Sequence, residues 1–315
     1  MSPTDETRIA LMTDTHAWPR APRAFGGEQE QLQPWFETVH GTFLADVRSQ
    51  SPEILVHLGD FTCGGGSFEM EDNAFHAALE RLNRELRAAA PQFYGLPGNH
   101  DCPAGTNDYT FCEGLLGLAP RQGQTVDTDA ARLVFLHSQG HSDEQRQAAL
   151  PKDPTYGWIA DAELERLDRS LAEVGDRPVI VFSHQLLHPW ANPRRWRNLY
   201  TLWELSKSTL LTANSEAVLD IFARHGNVRA VFQGHAHVLD VREVMVVDKP
   251  IRFVVTPSLI QYPLGWLLLT LTAETMRVQY RPLPLPELAE HSRTASIGSD
   301  WRTPDPAWQD FTVKL

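Results

Sequence analysis

Five short apolar segments of this chain each lead into a polar residue, and this feature constrains the fold most. Each segment has the length of a buried β-strand. They cover residues 9–13, 54–58, 93–96, 178–182 and 228–232. Stretches with apolar residues at helical spacing lie between them, and strands that alternate with helices pair in parallel. The chain is therefore predicted to have an α/β fold with polar residues at the carboxyl ends of its strands.

The clearest helix is predicted after Pro34, a residue that is tolerated at the first helical position. Its apolar residues recur every three or four positions: Phe36, Val39, Phe43, Leu44 and Val47. Further helices are predicted at residues 75–86, 161–174 and 215–225, and another strand at residues 132–136. Beyond residue 240, close-spaced apolar segments lack helical periodicity, so we expect an antiparallel run of strands. They are residues 241–247, 251–255, 266–271 and 276–280.

No linker or internal repeat divides the sequence, so one domain is predicted for residues 1–315. Hydrophobic residues make up 42% and charged residues 22% of the chain, as in an ordinary globular domain. The core of this domain is expected to extend over about residues 8–281. After Arg281 the sequence is rich in proline and polar residues, which predicts an irregular tail over about residues 282–315.

The net charge of −12 argues against nucleic acid as a partner, because phosphate contacts need clustered Lys and Arg residues. The opening residues lack the apolar stretch of a signal peptide, and no segment approaches the length of a membrane span. The three cysteines lack C-x-x-C spacing and fit reduced thiols. We therefore expect a cytoplasmic protein without a membrane or nucleic-acid partner; a homodimer is left open.

The polar residues after the five segments form a candidate site, because open α/β sheets bind ligands at the carboxyl ends of their strands. In Asp14-Thr15-His16 and in His235-Ala236-His237, alternate residues of an extended segment point to the same side. Any one of the five patterns also fits a polar turn, and it is their recurrence that indicates a site. Carboxylate, amide and imidazole groups without cysteine suit Mn²⁺, Fe or Zn²⁺.

The order D-x-H, G-D, G-N-H-D, H and G-H-x-H, from Asp14 to His237, resembles the calcineurin-like metallophosphoesterases. That resemblance implies a four-layer α/β/β/α sandwich of two packed mixed sheets with a dinuclear metal site at the strand ends. Within the family, the chain looks most similar to the class III cyclic-nucleotide phosphodiesterase and glycerophosphodiesterase branch. The size of the chain, Thr256-Pro257-Ser258 and Tyr262-Pro263-Leu264-Gly265 carry this finer resemblance.

Carried over by position, the resemblance implies two sets of metal ligands and one bridging residue. Asp14, His16 and His237 would bind one divalent ion, Asn99, His184 and His235 would bind the other, and Asp60 would bridge them. A carboxylate suits a bridge because its two oxygens can bind separate cations. Hydroxide between the ions would attack the phosphorus atom of a small-molecule phosphoester in line.

The family pattern makes His100 the group that supports or protonates the leaving oxygen. Related phosphatases have an aspartate that pairs with this histidine three positions after the bridging aspartate, whereas this chain has Cys63. Either Asp101 substitutes for it or His100 is less basic than in those relatives. His100 and Asp101 are the predicted catalytic residues.

Two segments look like insertions near the site, residues 18–35 and 188–212. The second contains Arg194, Arg195 and Arg197 among tryptophans, which could bind phosphate and stack on a ring. A solvated loop with buried tryptophans explains the same residues equally well. His188, Arg194 and Arg195 are therefore candidate substrate-binding residues.

Four functional hypotheses follow. The first is a phosphodiesterase that acts on a small molecule such as a cyclic nucleotide or a glycerophosphodiester. The second is a phosphomonoesterase or nucleotide pyrophosphatase that uses the same metals. A nuclease is disfavoured by the negative charge, and a noncatalytic scaffold is disfavoured by the intact set of ligands.

Overall fold

The computed structural model describes residues 6–21, 30–65, 70–149, 156–188, 210–295 and 302–315. Twelve strands are present in this part of the chain. They are β1 (Thr7–Met12), β2 (Ile54–His57), β3 (Gln92–Gly95), β4 (Gln124–Asp127), β5 (Arg132–Leu136), β6 (Val179–Ser183), β7 (Val228–Gln233), β8 (Asp240–Val246), β9 (Lys249–Val255), β10 (Gly265–Leu271), β11 (Thr275–Pro282) and β12 (Asp310–Lys314).

The helices pack on the outer faces of the sheets or connect strands. They are α1 (Phe36–Gln50), α2 (Asp72–Arg87), α3 (Thr110–Leu116), α4 (Asp143–Ala149), α5 (Asp161–Ala172), α6 (Ser215–His225) and α7 (Pro286–Thr294). Short 3-10 helices cover Gln33–Trp35 and Pro306–Trp308. No helix in the described ranges is both long and apolar enough to cross a membrane.

The strands form two six-stranded mixed sheets. The first sheet has the order β12-β11-β10-β1-β2-β3, and the second has the order β4-β5-β6-β7-β9-β8. Strands β1, β2 and β3 pair in parallel, as do β5, β6, β7 and β9. The parallel strands predicted from the sequence are therefore confirmed, and their carboxyl ends lie at one edge of each sheet.

Alternating side chains of each strand enter different layers of the core, as the two-residue period of a strand requires. Ala10 and Met12 of β1 pack against α1 and α2, whereas Ile9 and Leu11 pack between the two sheets. On the other side, Val181 of β6 packs in a cluster with residues of α5 and α6. The result is the four-layer α/β/β/α sandwich expected from the resemblance.

Two expectations from the sequence need correction. Strands β8 to β11 do not form one antiparallel run: β8 and β9 close the second sheet, and β9 pairs in parallel with β7. The chain then crosses to the first sheet, where β10 pairs with β1 and β11. The tail after residue 281 is not irregular throughout, because it contains α7 and the edge strand β12, which pairs with β11.

An aromatic row joins three neighbouring strands between the sheets. Phe135 lies opposite Phe182, which lies opposite Phe232. The ring centroids are 5.0 Å apart for the first pair and 5.6 Å for the second, with nearly parallel planes. All three side chains are fully buried, so the row fills the layer beneath the loops that follow β6 and β7.

The Phe182→Ala substitution should lower the free energy of unfolding by about 3 to 5 kcal/mol, because it leaves a cavity between two rings. Denaturant unfolding measures this loss. Phe311→Ala on the edge strand β12 is the matched control, and its smaller buried area should give a smaller loss. Equal losses for the two variants would contradict a central role of the aromatic row.

Candidate metal centre

The loops that follow β1, β2, β3, β6 and β7 carry all seven candidate ligands and meet at one edge of the sandwich. Five of the seven have a left-handed backbone. They are Asp14, His16, Asp60, His235 and His237, with φ of 52°, 39°, 57°, 66° and 54°. Non-glycine residues in this region cost of order 1 to 3 kcal/mol each and cluster at functional sites. The fold therefore bends the chain sharply at these positions, at a cost in stability.

Asp14, His16 and His237, the first predicted ligand set, lie close together. Nε2 of His16 lies 3.0 Å from Nε2 of His237, which lies 3.2 Å from Oδ1 of Asp14. Two ligands about 2.0 to 2.1 Å from one tetrahedral metal ion are roughly 3.3 Å apart. Two neutral ring nitrogens that face each other repel unless a proton or a cation lies between them. The spacing of these nitrogen and oxygen atoms therefore fits ligands of one shared divalent ion.

Asn99, His184 and His235, the second predicted ligand set, lie close to Asp60. Nε2 of His184 lies 3.2 Å from Oδ1 of Asn99 and 3.3 Å from Oδ2 of Asp60. The ring of His235 stands 5.1 Å from the ring of His184, and donor atoms of both histidines and Asp60 lie within 4.8 Å of one another. The spacing again matches ligands of one ion.

Asp60 faces both sets through one oxygen. Its Oδ2 lies 3.6 Å from Nε2 of His16 and 3.3 Å from Nε2 of His184. Its Oδ1 accepts a hydrogen bond from the backbone N–H of His100 at 2.8 Å. Oδ2 of Asp60 thus faces an imidazole of each predicted set, while Oδ1 is held by the backbone of the loop after β3.

Gly98 allows the close approach that places Asp60. A Cβ atom on Gly98 would lie 2.2 Å from the backbone nitrogen of Asp60 and 2.2 Å from its Oδ1. A side chain at this position would displace the carboxylate. The glycine in the G-N-H-D motif is therefore required by the packing of the β2 and β3 loops.

The charges of the site suit cations. Burial raises the pKa of Asp60, but His184, His100 and His16 together hold it well below its usual value. Burial also raises the pKa of Asp14, and His237 and His184 together lower it below its usual value. Burial lowers the pKa of His16 to about 3 although Asp60 opposes it. Burial lowers the pKa of His184, but Asp60, together with Asp14 and Asp101, outweighs burial and raises the pKa to about 9. A proton on His184 thus balances part of the charge of the carboxylates, and a cation bound there would replace that proton.

His100 stands beside this group of ligands. Its Nδ1 lies 2.9 Å from the carbonyl oxygen of Gly65, and its ring centroid lies 5.2 Å from that of His16. Because a carbonyl oxygen only accepts, Nδ1 of His100 must donate. The contact fixes the ring orientation and leaves Nε2 as the atom whose protonation can change.

Asp101 and Cys63 both contact the backbone of the ligand loops. Oδ1 of Asp101 accepts from the N–H of Thr62 at 3.1 Å, and Oδ2 accepts from the N–H of Gly98 at 2.8 Å. Burial, helped by Asp60, raises the pKa of Asp101 to about 7. The Cys63 thiol donates to the carbonyl oxygen of His16 at 3.2 Å, and burial raises its pKa well above the usual value.

Several residues that position the ligands were not predicted from the sequence. Oε1 of Gln261 accepts from Nδ1 of His237, and the Ser258 hydroxyl donates to the carbonyl oxygen of Asp14 at 2.8 Å. His57 accepts from the N–H of Gly59 at 3.1 Å. The sequence does contain a signal for His57, because a histidine within an apolar strand is unusual. Gln261 and Ser258 had no local signal, because their partners are distant in sequence.

The candidate substrate-binding residues fall on two kinds of segment. His188 is half-buried, and its ring centroid lies 5.3 Å from that of Phe253. Arg194 and Arg195 lie outside the described residues. Their predicted contact with substrate therefore stays a prediction.

Comparison with solved structures shows the same fold. A dimetal phosphatase from Danio rerio superimposes with a TM-score of 0.64 at 16% identity, covering 89% of this chain and 97% of that chain. A structure of PhoD gives a TM-score of 0.56 at 11% identity, covering 90% of this chain and 67% of that chain.

Sequence comparison gives the family. The glycerophosphodiester phosphodiesterase GpdQ of Enterobacter lignolyticus is 26% identical over 244 residues, 73% of this chain and 70% of that protein. A probable cyclic nucleotide phosphodiesterase of Pseudoalteromonas is 24% identical over 235 residues, 74% of this chain and 72% of that protein. The family model of the calcineurin-like phosphoesterases matches residues 7–239, more than half of the chain. The chain therefore belongs to the calcineurin-like phosphoesterases and is a hydrolase that acts on phosphoric ester bonds.

Proposed function

We propose that this protein is a dinuclear-metal-dependent phosphodiesterase that hydrolyses a small-molecule phosphodiester. The position of Asp60 carries the proposal. Its Oδ2 lies within 3.6 Å of Nε2 of His16 and 3.3 Å of Nε2 of His184, which belong to different ligand sets. One oxygen can therefore serve two cations, and a pair of cations that share a bridging ligand is the arrangement that clamps a phosphate.

Each ion has its own set of residues in this proposal. Asp14, His16 and His237 would hold one ion, Asn99, His184 and His235 would hold the other, and Asp60 would be shared. These groups suit Mn²⁺, Fe or Zn²⁺. When bound, two such cations lower the pKa of water toward neutrality, which supplies a hydroxide nucleophile, and they offset the negative charge of the phosphoryl oxygens.

His100 acts on the leaving oxygen. Its Nδ1 donates to the carbonyl oxygen of Gly65 at 2.9 Å, so Nε2 is the nitrogen that would carry the proton for the leaving oxygen. Delivery of that proton to the departing alkoxide avoids the release of a strong base. A neutral carbonyl stabilises an imidazolium less than a carboxylate does, so this histidine differs electrostatically from those of relatives that have aspartate in place of Cys63.

Asp101 acts as a positioning residue rather than as a proton donor or acceptor for substrate. Its two oxygens accept from the N–H groups of Thr62 and Gly98. These contacts join the loop after β2 to the loop after β3, and both loops carry metal ligands. The geometry therefore favours a different role from the catalytic one predicted from its place beside His100.

Two observations support a small diester as substrate. Both relatives described above are named as phosphodiesterases, one for glycerophosphodiesters and one for cyclic nucleotides. The net charge of −12 disfavours a polyanion such as a nucleic acid, because such a ligand needs an extended basic surface. His188, Arg194 and Arg195 stay candidates for contact with the diester.

Purified protein loaded with Mn²⁺ should hydrolyse bis(p-nitrophenyl) phosphate with a higher kcat/KM than p-nitrophenyl phosphate. A phosphodiester has two nonesterified oxygens, one for each cation of the proposed site. It also carries one negative charge fewer than a monoester. Steady-state kinetics with both esters measure the preference.

Asp60→Asn is the control for this assay, because the substitution removes charge from the shared oxygen and should abolish turnover of both esters. Residual activity of that variant would reveal a contaminating enzyme. A preference of the wild-type protein for the monoester would contradict the proposed diesterase activity.

His100→Ala should lower kcat by roughly 10² or more while the bound metal stays unchanged, because general acid catalysis contributes about 10² to 10⁴. The loss should be larger for a glycerophosphodiester than for a p-nitrophenyl ester, since an alkoxide leaving group needs a proton more. Metal analysis and kinetics with both substrates test this.

His225→Ala is the matched control. This histidine ends α6 and pairs with Asp168 of α5 at 2.7 Å. It precedes β7, whereas the candidate ligands His235 and His237 follow β7 at the opposite end of that strand. Its substitution should leave kcat unchanged. Equal losses of His100→Ala on both leaving groups would rule out the proton-donor role.

A further inference from the structure

A buried arginine from the C-terminal segment contacts the loop that carries two candidate ligands. Nη1 of Arg302 donates to the carbonyl oxygen of His237 at 3.0 Å and to that of Ala236 at 3.4 Å. The Arg302 side chain is only 14% exposed. Arg302 lies beyond residues 7–239, which the family model matches, whereas both carbonyl groups that it contacts lie within that range.

The charge of Arg302 is paired inside the protein. Its Nε lies 3.1 Å from Oε1 of Glu30, whose side chain is 10% exposed. A buried ion pair of this kind adds little net stability, because two charges lose their hydration. A guanidinium has five donors in a rigid fork and can contact a carboxylate and backbone carbonyls together. The pair thus directs a charged donor at the His237 loop.

Neighbouring hydrogen bonds hold this pair in place. The Ser292 hydroxyl of α7 donates to the carbonyl oxygen of Glu30 at 2.5 Å and accepts from the N–H of Tyr262 at 2.8 Å. The Tyr262 hydroxyl lies 3.0 Å from Oγ1 of Thr303. Segments from three distant parts of the chain therefore converge on Arg302 and its neighbours.

His237 is fixed at two points in this arrangement. Gln261 accepts from Nδ1 of its ring, which leaves Nε2 to face Asp14 and His16. Arg302 contacts its main-chain carbonyl oxygen. The φ of His237 is 54° and that of His235 is 66°, so the loop is strained and needs contacts that oppose its relaxation.

We propose that Arg302 is a positioning residue for the metal site: its guanidinium, oriented by Glu30, holds the carbonyl groups of Ala236 and His237 and thereby sets the His237 ligand. The C-terminal segment is thus part of the metal-binding machinery. The effect on metal affinity rests on the proposed dinuclear site, whereas the effect on the loop does not.

Hydrogen–deuterium exchange of the metal-free protein tests the loop directly. The N–H of His235 donates to Oδ2 of Asp14 at 3.0 Å, which protects this amide from exchange. The hydrogen bond depends on the conformation of the loop. In Arg302→Ala, amides of residues 234–238 should exchange roughly tenfold faster or more, because charge-assisted hydrogen bonds are lost.

Titration of the Arg302→Ala variant with Mn²⁺ should show an affinity weakened roughly 10- to 100-fold, as is typical when a group that orients a metal ligand is lost.

Two further variants separate positioning from folding. Arg302→Ala leaves Glu30 buried without its partner, so Glu30→Gln combined with Arg302→Met removes both charges at similar volume. Such replacements of buried ion pairs often keep or raise stability, and this double variant should unfold close to the wild type while loop exchange stays fast. Arg277→Ala is the matched control, because that arginine pairs with Asp310 of the same C-terminal segment at the surface.

The Arg277→Ala variant should keep wild-type loop exchange and Mn²⁺ affinity. Unchanged loop exchange in both Arg302 variants would overturn the proposed role of Arg302. A wild-type protein that binds no Mn²⁺ would instead contradict the proposed function, and the exchange data on the metal-free protein would still decide the role of Arg302.

Discussion

The structure of the site depends on how one carboxylate oxygen of Asp60 is placed between two groups of imidazoles. Asp60 can occupy this position because its other oxygen accepts from the N–H of His100 and because Gly98 has no side chain to displace it. Burial alone would favour a protonated carboxyl group, but the neighbouring histidines keep it ionised. An anionic oxygen with imidazole nitrogens on both sides is the electrostatic basis of the proposed two-cation site.

The sandwich brings these groups together from two different sheets. Asp14, Asp60 and Asn99 follow strands of the first sheet, whereas His184 and His235 follow strands of the second. The aromatic row of Phe135, Phe182 and Phe232 and the aliphatic residues opposite it fix the separation of the sheets. The left-handed backbone at five ligand positions costs free energy that this packing must offset. The core and the site are therefore coupled: the core keeps the ligand loops in strained conformations that would otherwise relax.

The sequence predicted the parts of this architecture that leave a local pattern. Apolar segments of strand length predicted the parallel strands, and the polar residues that follow them are the candidate ligands that the structure brings together. Strand β12 was missed because only Phe311 and Val313 mark its apolar alternation, and β4 was missed because none of its residues is fully buried.

Asp101 was assigned to His100 because the two are adjacent in sequence, yet its oxygens accept from the backbone of Thr62 and Gly98. Contacts of Gln261 and Arg302 with His237 join segments that are far apart along the chain, and no local pattern predicts them.

The most direct measurement of the central claim is anomalous diffraction from crystals of the protein grown with Mn²⁺. We expect two anomalous peaks about 3.5 to 4 Å apart, with a single oxygen of Asp60 bonded to both ions and its other oxygen still accepting from the N–H of His100. A single peak, or Asp60 bonded to only one of two ions, would contradict the shared-oxygen site.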